Sequence, residues 1–355
     1  MKPHSLNIGD KVAIVSLSSG ALGENFAKHE LDLGLKRLEE LELVPVIMPN
    51  ALKGMKFLSE HPEARAQDLV DAFADKSIKG IICAIGGNDT YRLIPHILGN
   101  KKAVETIKAN PKVFVGYSDS TINHLMLGSL GLNTFYGQAF LTDLAELDED
   151  MLPYSKFWFL NLFLNQKDIE LKASELWYEE RSDFSPAALG TAREKHLEDL
   201  GFVSLCAGGR VEGELFGGCV DSINTIFEPE NKEQKEIFAK YHILPENNEG
   251  KVLFLETSDE KMEPDKFRHV IKNLKEHKFF DGVQGVLFGK PQDQAYLQEY
   301  MNIVREELAG KRVLFNLNFG HAFPHCIMPY GARVSVDYDS ATVHFVSEWF
   351  SERKI

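Results

Sequence analysis

The alternation of short β-branched runs with longer stretches of helical apolar spacing is what most constrains this chain. Lys11–Leu17 (KVAIVSL), Val44–Met48, Gly80–Ile85 (GIICAI) and the very short Val113–Val115 read as strands. Phe26–Leu43, with Leu31, Leu35, Leu38 and Leu41 at helical spacing, reads as a helix, as do Ala64–Ala74, Asp89–Ile97 and Ser120–Leu130. Strands separated by helices imply βαβ units and a parallel sheet. In such a sheet, function collects at the loops beyond the carboxyl ends of the strands. From about Leu141 to Gly201 the pattern dissolves into acidic stretches interleaved with Phe157, Trp158, Phe159, Trp177, Tyr178 and Phe184. It resumes with strands Gly201–Leu205 and Arg210–Leu215, helix Gly218–Phe227, strand Lys251–Leu255, helix Pro264–Glu276, strand Gly282–Phe288 and helix Gln294–Leu308. Ala332–Asp337 and Thr342–Val346 close the chain as an antiparallel hairpin around Tyr338-Asp339-Ser340. A chain of 355 residues exceeds one ordinary core, so two domains are expected.

Charge and cysteine usage narrow the partners. A formal net charge of −14 argues against a general nucleic-acid binder, which needs surplus Lys and Arg to neutralise phosphates. A small ligand that carries a nucleotide stays open. Cys83, Cys206, Cys219 and Cys326 are scattered without a CxxC pair, so neither a disulfide framework nor a structural zinc site is expected. No apolar run approaches the ~20 residues of a membrane span, and the start MKPHSLNIGDKVAIVS has no leader pattern; a cytoplasmic location is the default.

Within this frame, Val113-Phe114-Val115-Gly116-Tyr117-Ser118-Asp119-Ser120-Thr121 is the sharpest local feature. A strand ends at a glycine, a serine follows, and a helix begins at once, the context that lifts a hydroxyl clear of a sheet edge. The Asp119 amide, near a helix N-terminus, could meet a developing oxyanion. The same residues are also common helix N-caps, and Ser120 replaces the closing glycine of a strict G-x-S-x-G elbow. The segment alone supports either reading. A nucleophilic serine needs a base, and of the twelve histidines His321 is best placed: it follows an apolar strand and Gly320, with Pro324 fixing the exit. His325, just after that proline, is the weaker candidate. Glu256 ends the apolar run Val252–Leu255 and suits the role of holding a histidine tautomer, although a solvated strand-end acid would look the same.

Taken together, the motifs resemble the LD-carboxypeptidase family of serine peptidases. The resemblance runs through Leu6–Ala13 (LNIGDKVA), Ala84–Asp89 (AIGGND), the GYSDST segment, Gly213–Gly218 (GELFGG), Leu253–Glu256 (LFLE), Phe319-Gly320-His321 and Met328–Gly331 (MPYG), in order along nearly the whole chain. It implies an α/β fold with an N-terminal Rossmann-like parallel-sheet domain (residues 1–165), an inter-domain segment (166–205) and a smaller C-terminal α/β domain (206–355), the site lying in the groove between domains. It further implies Ser118 as nucleophile, His321 as base then acid, Glu256 as its orienting carboxylate, and an oxyanion hole from the Gly87 and Asp119 amides. No metal or cofactor and a homodimer are implied as well. Thr134–Gly137 (TFYG), Asn318–His321 (NFGH) and the segment around Trp177 are closest to the branch of the microcin C immunity proteins, in which a loop aromatic stacks on a nucleobase. Trp177 is the candidate for that role, while Phe184 and Phe202 stand where the branch carries tryptophans. The expected reaction is hydrolysis of an amide, in a murein-type LD-peptide or an aminoacyl-nucleotide, through an acyl-enzyme. The competing expectations are an α/β-hydrolase esterase, which shares the order Ser…Glu…His, and a two-domain small-ligand binding protein without chemistry.

Overall fold

The computed structural model describes residues 1–352. Five strands of the first half, β1 (Lys11–Val15), β2 (Val44–Ile47), β3 (Ile78–Cys83), β4 (Val113–Gly116) and β5 (Phe135–Tyr136), run parallel in the order β5-β4-β3-β1-β2. β1, β3, β4 and β5 are buried almost throughout, as crossover helices require of a parallel sheet, while the edge strand β2 is only half-buried, with Val44 exposed. The chain passes from β1 outward to β2 and then back to β3 on the other side, so the crevice at the switch point opens beyond β1 and β3. Ser18 and Gly86-Gly87 lie on the loops that leave those two strands.

The chain next contributes β6 (Ile169–Leu171) and a separate hairpin of β7 (Leu176–Tyr178) and β8 (Lys195–Leu197). It continues through β9 (Val203–Cys206), β10 (Arg210–Cys219), β11 (Lys251–Glu256), β12 (Gly285–Gly289) and β13 (Arg312–Leu317). A two-residue β14 (Met328–Pro329) returns to pair antiparallel with β5, and β15 (Arg333–Asp337) and β16 (Thr342–Phe345) form the expected closing hairpin. The second sheet has the order β6-β16-β15-β10-β11-β12-β13-β9, with β10 to β13 parallel. The stretch 141–201, which shows no strand alternation in the sequence, therefore supplies one edge of this sheet and the hairpin. Three residues are too few to display a period of two. Asp89–Ile97 likewise resolves into a 3-10 turn, Thr90–Leu93, and a short helix, Ile94–Leu98, that restarts with Pro95 in its first turn.

The two halves share one continuous hydrophobic cluster. Aromatic rings join them: Tyr136 packs on Phe254 at 5.5 Å between ring centres, and Phe254 on Tyr330 at 5.0 Å. Gly217 (φ +153°) is pressed so close to β11 that a Cβ there would sit 1.8 Å from the Phe254 carbonyl oxygen. Behind the nucleophile candidate, the Thr121 hydroxyl accepts the Cys219 N–H at 3.0 Å, and the Tyr330 hydroxyl donates to the Gly217 carbonyl at 2.6 Å. These contacts fix the carboxyl end of β11 opposite the carboxyl end of β4.

Candidate active site

At the carboxyl end of β4 the chain turns sharply enough that Ser118 takes φ +62°, a conformation costing a side-chain-bearing residue roughly 1–3 kcal/mol. The helix Ser120–Ser129 starts immediately afterwards with no side-chain N-cap hydrogen bond. Asp119 turns its carboxylate away instead, accepting from the Ser18 hydroxyl at 2.6 Å and the Thr90 N–H at 3.0 Å. Burial pushes this carboxyl up to about 6 against the opposing pull of those two donors. Gly86 lies directly over the serine, where a Cβ would come 2.7 Å from the Ser118 Cβ, so only glycine permits the approach.

His321 reaches this serine from the other half of the molecule. Its Nε2 lies 3.0 Å from Ser118 Oγ, and its Nδ1 lies 2.8 Å from Glu256 Oε2. The His321 backbone N–H also donates to Glu256 Oε2, at 3.2 Å. Gly320 makes the approach possible: at φ +87°, its missing Cβ would fall 2.4 Å from Glu256 Cγ. Burial lowers the proton affinity of the imidazole, but Glu256, with Asp259 and Asp221 behind it, outweighs that loss and the pKa ends above its ordinary value. The Tyr117 ring meets the imidazole edge-on at 5.0 Å.

Among the described residues no hydrogen bond occupies the Gly87 or the Asp119 amide; Asp119 directly follows the serine, and Gly87 follows the Gly86 that lies against it. The loop carrying Gly87 is held by Arg65, which pairs with Asp89 at 2.6 and 3.1 Å and donates to the Leu17 and Ser18 carbonyls at 3.2 Å. Arg65 is wholly buried, although its helix pattern gave no sign of it. Tyr136 is another residue whose place at the site the sequence did not signal: its hydroxyl accepts the Ser118 N–H at 3.0 Å and donates a short hydrogen bond to Glu256 Oε1. His325, set aside as the weaker histidine, is fully buried with its Nε2 2.8 Å from Asp143.

Trp177 is not part of this hydrogen-bonded cluster. It stands on β7, stacked at 4.2 Å on His196 of β8, and the hairpin is tied to the histidine loop by the Tyr178 N–H, which donates to the Phe323 carbonyl at 2.9 Å. Among the described residues, Glu179, Glu194 and His196 of the same hairpin could bring ligand atoms together around a cation; the group includes none of Ser118, His321 and Glu256.

Comparison with known proteins decides the family. Residues 12–137 match the LD-carboxypeptidase N-terminal domain and residues 212–336 the LD-carboxypeptidase C-terminal domain. The chain belongs to the LD-carboxypeptidase family. An MccF-like protein of Streptococcus pneumoniae, solved in complex with AMP, superposes with a TM-score of 0.91 at 44% identity, over 95% of this chain and 98% of that one. A probable murein peptide carboxypeptidase of Bacillus subtilis is 27% identical over 95% of this chain and 91% of its own length. The microcin C7 self-immunity protein MccF of Escherichia coli is 24% identical over 98% and 96%. This LD-carboxypeptidase relative is thus an enzyme, a hydrolase of the carboxypeptidase and MccF-like kind with their two-domain α/β fold. The expectations of a non-catalytic binding protein and of an α/β-hydrolase esterase fall with that assignment.

Proposed function

We propose that this enzyme hydrolyses an amide bond through a Ser118–His321–Glu256 triad and an acyl-enzyme. The observation that carries the reading is the unbroken series of contacts from Ser118 Oγ to His321 Nε2 (3.0 Å) and from His321 Nδ1 to Glu256 Oε2 (2.8 Å). Ser118 Oγ attacks the scissile carbonyl carbon as His321 Nε2 takes the hydroxyl proton. The carbonyl oxygen gains negative charge and turns to the Gly87 and Asp119 N–H groups, which no hydrogen bond occupies among the described residues. His321 then returns the proton to the leaving nitrogen, and a water activated by the same imidazole releases the acid. Glu256 is completely buried; its charge is met by the imidazole N–H, the His321 amide and the Tyr136 hydroxyl, and it holds the tautomer that leaves Nε2 basic.

For substrate we infer an aminoacyl- or peptidyl-nucleotide, with Trp177 stacking on the base, worth roughly 1–3 kcal/mol for an aromatic face. The AMP bound by the Streptococcus pneumoniae relative supports this reading. A murein LD-peptide is the second reading, supported by the Bacillus subtilis relative. Turnover of aspartyl sulfamoyl adenosine beside a tetrapeptide muropeptide separates them, and Trp177→Ala should raise KM about tenfold for the nucleotide substrate alone. Ser118→Ala should reduce kcat at least ~10³-fold on whichever substrate is cut, with the fold intact by circular dichroism. Retained hydrolysis by Ser118→Ala would overturn the triad.

A further inference from the structure

Among the described residues, the Tyr136 hydroxyl is the one group outside the proposed triad that hydrogen-bonds to both Ser118 and Glu256. Its oxygen accepts the Ser118 N–H at 3.0 Å. That contact uses a lone pair, so the phenolic proton is free to point at an acceptor, and it lies on Glu256 Oε1, the carboxylate oxygen opposite the one facing His321. The ring is fixed from several sides, edge-on to Tyr117 and packed on Phe254 and Tyr330, and no part of the side chain reaches water. Burial and the neighbouring Glu256 hold the phenol well above its ordinary range, so it stays a proton donor throughout the working pH range.

We propose that Tyr136 is a positioning residue of this active site: one hydroxyl clamps the strained Ser118 amide and orients the Glu256 carboxylate, locking nucleophile and base into register across the domain boundary. This rests on the Ser118–His321–Glu256 reading above. The clamp does two physical jobs. It satisfies the amide of a residue held at φ +62°, which would otherwise gain by relaxing toward an ordinary conformation. It also donates to Glu256, and that donation matters most when His321 is neutral, because the carboxylate then lacks a cationic neighbour. The other groups facing this pair are Asp259 and Asp221 around His321, and Cys219 and Tyr330 around Glu256. Among the described residues, none of these donates a hydrogen bond to Oε1.

The test is Tyr136→Phe, which keeps the ring. The titration of His321, followed by NMR on the full chain with labelled histidine, needs no substrate. Loss of the donor should destabilise the neutral-histidine form and move the midpoint upward by roughly half a pH unit or more. Labelling of Ser118 by a fluorophosphonate at neutral pH should slow about tenfold. Should Tyr136→Phe fold poorly, 3,5-difluorotyrosine at position 136, a stronger donor of nearly the same shape, should move the midpoint the other way. An unchanged midpoint, with or without a fall in Tm, would overturn the proposal and leave the triad standing. Activity surviving in Ser118→Ala would overturn the triad itself.

Discussion

His321 sits between opposed influences. Burial favours its neutral form, while Glu256, Asp259 and Asp221 favour the cation and prevail. A raised folded pKa has two consequences of opposite sign. The protonated form is the one folding stabilises, so this contribution to stability is complete below about pH 6.5 and fades as pH rises through the raised value. Under the proposed mechanism His321 must be neutral to act as base, so kcat/KM should climb through that same interval. Asp259 offers a way to separate the terms: it lies 3.7 Å from Nε2 and its side chain is 68% exposed. Asp259→Asn should shift the acidic limb of kcat/KM downward by a few tenths of a pH unit, and the shift should shrink in high salt because water and ions screen an exposed charge. A limb that stays put at low salt would show that Asp259 does not act on the imidazole. At this scale the sequence was readable where a local pattern singles a residue out: Ser118 after a strand-ending glycine, Glu256 at the end of an apolar run and His321 behind Gly320 are the three side chains the structure brings within hydrogen-bond distance. Tyr136 and Arg65 were not readable. Tyr136 looks like any aromatic in a strand, and Arg65 like any charge on a helix, because their partners Glu256 and Asp89 lie 120 and 24 residues away.

The β7–β8 hairpin is the element the sequence concealed most completely. Its strands are three residues each, and what holds them is charge rather than an apolar face. Arg181 and Arg193 both pair with the buried Glu146 at 2.6 Å, anchoring the hairpin to the first half. Arg193 also pairs with Glu180 at 3.2 Å and stacks on Phe323, its guanidinium 3.8 Å from the ring centre and two residues from His321. Farther on, Glu198 pairs with the buried Lys290 and accepts the Leu200 and Gly201 N–H groups, pinning the exit from the hairpin. Arg193→Ala should therefore cost about 3 kcal/mol of stability, read by urea unfolding, since it strips a partner from the buried Glu146 carboxylate, and it should lower kcat by loosening the loop that presents His321. A variant as stable and active as wild type would make the hairpin a passive surface ornament.

At the scale of the whole molecule, the proposed triad is assembled only while the two halves stay in register: Ser118 follows a strand of one sheet, and Glu256 and His321 come from strand ends of the other. Most parallel strands of both sheets were legible because buried runs and helical spacing are local; the two-residue β5 was too short to be read. The contact between the sheets was not, since Thr121 and Cys219 reveal nothing of each other in sequence. Thr121 follows Ser118 by three residues and its hydroxyl accepts the Cys219 N–H at 3.0 Å; Cys219 ends the strand beside Glu256, its register partner on β11. Thr121→Val removes the acceptor but keeps the shape, leaving a buried N–H without a partner, at a cost of about 1–3 kcal/mol. Because one hydrophobic cluster runs through both halves, the cost should appear as a lower midpoint in a single transition, not as separate melting of one half. Activity and circular dichroism should be lost at the same urea concentration in wild type. In Thr121→Val both curves should move together if the cluster couples the halves. If activity fell well before the circular dichroism signal, the halves would be slipping apart while each stayed folded, and the shared core would not be what holds the triad in line.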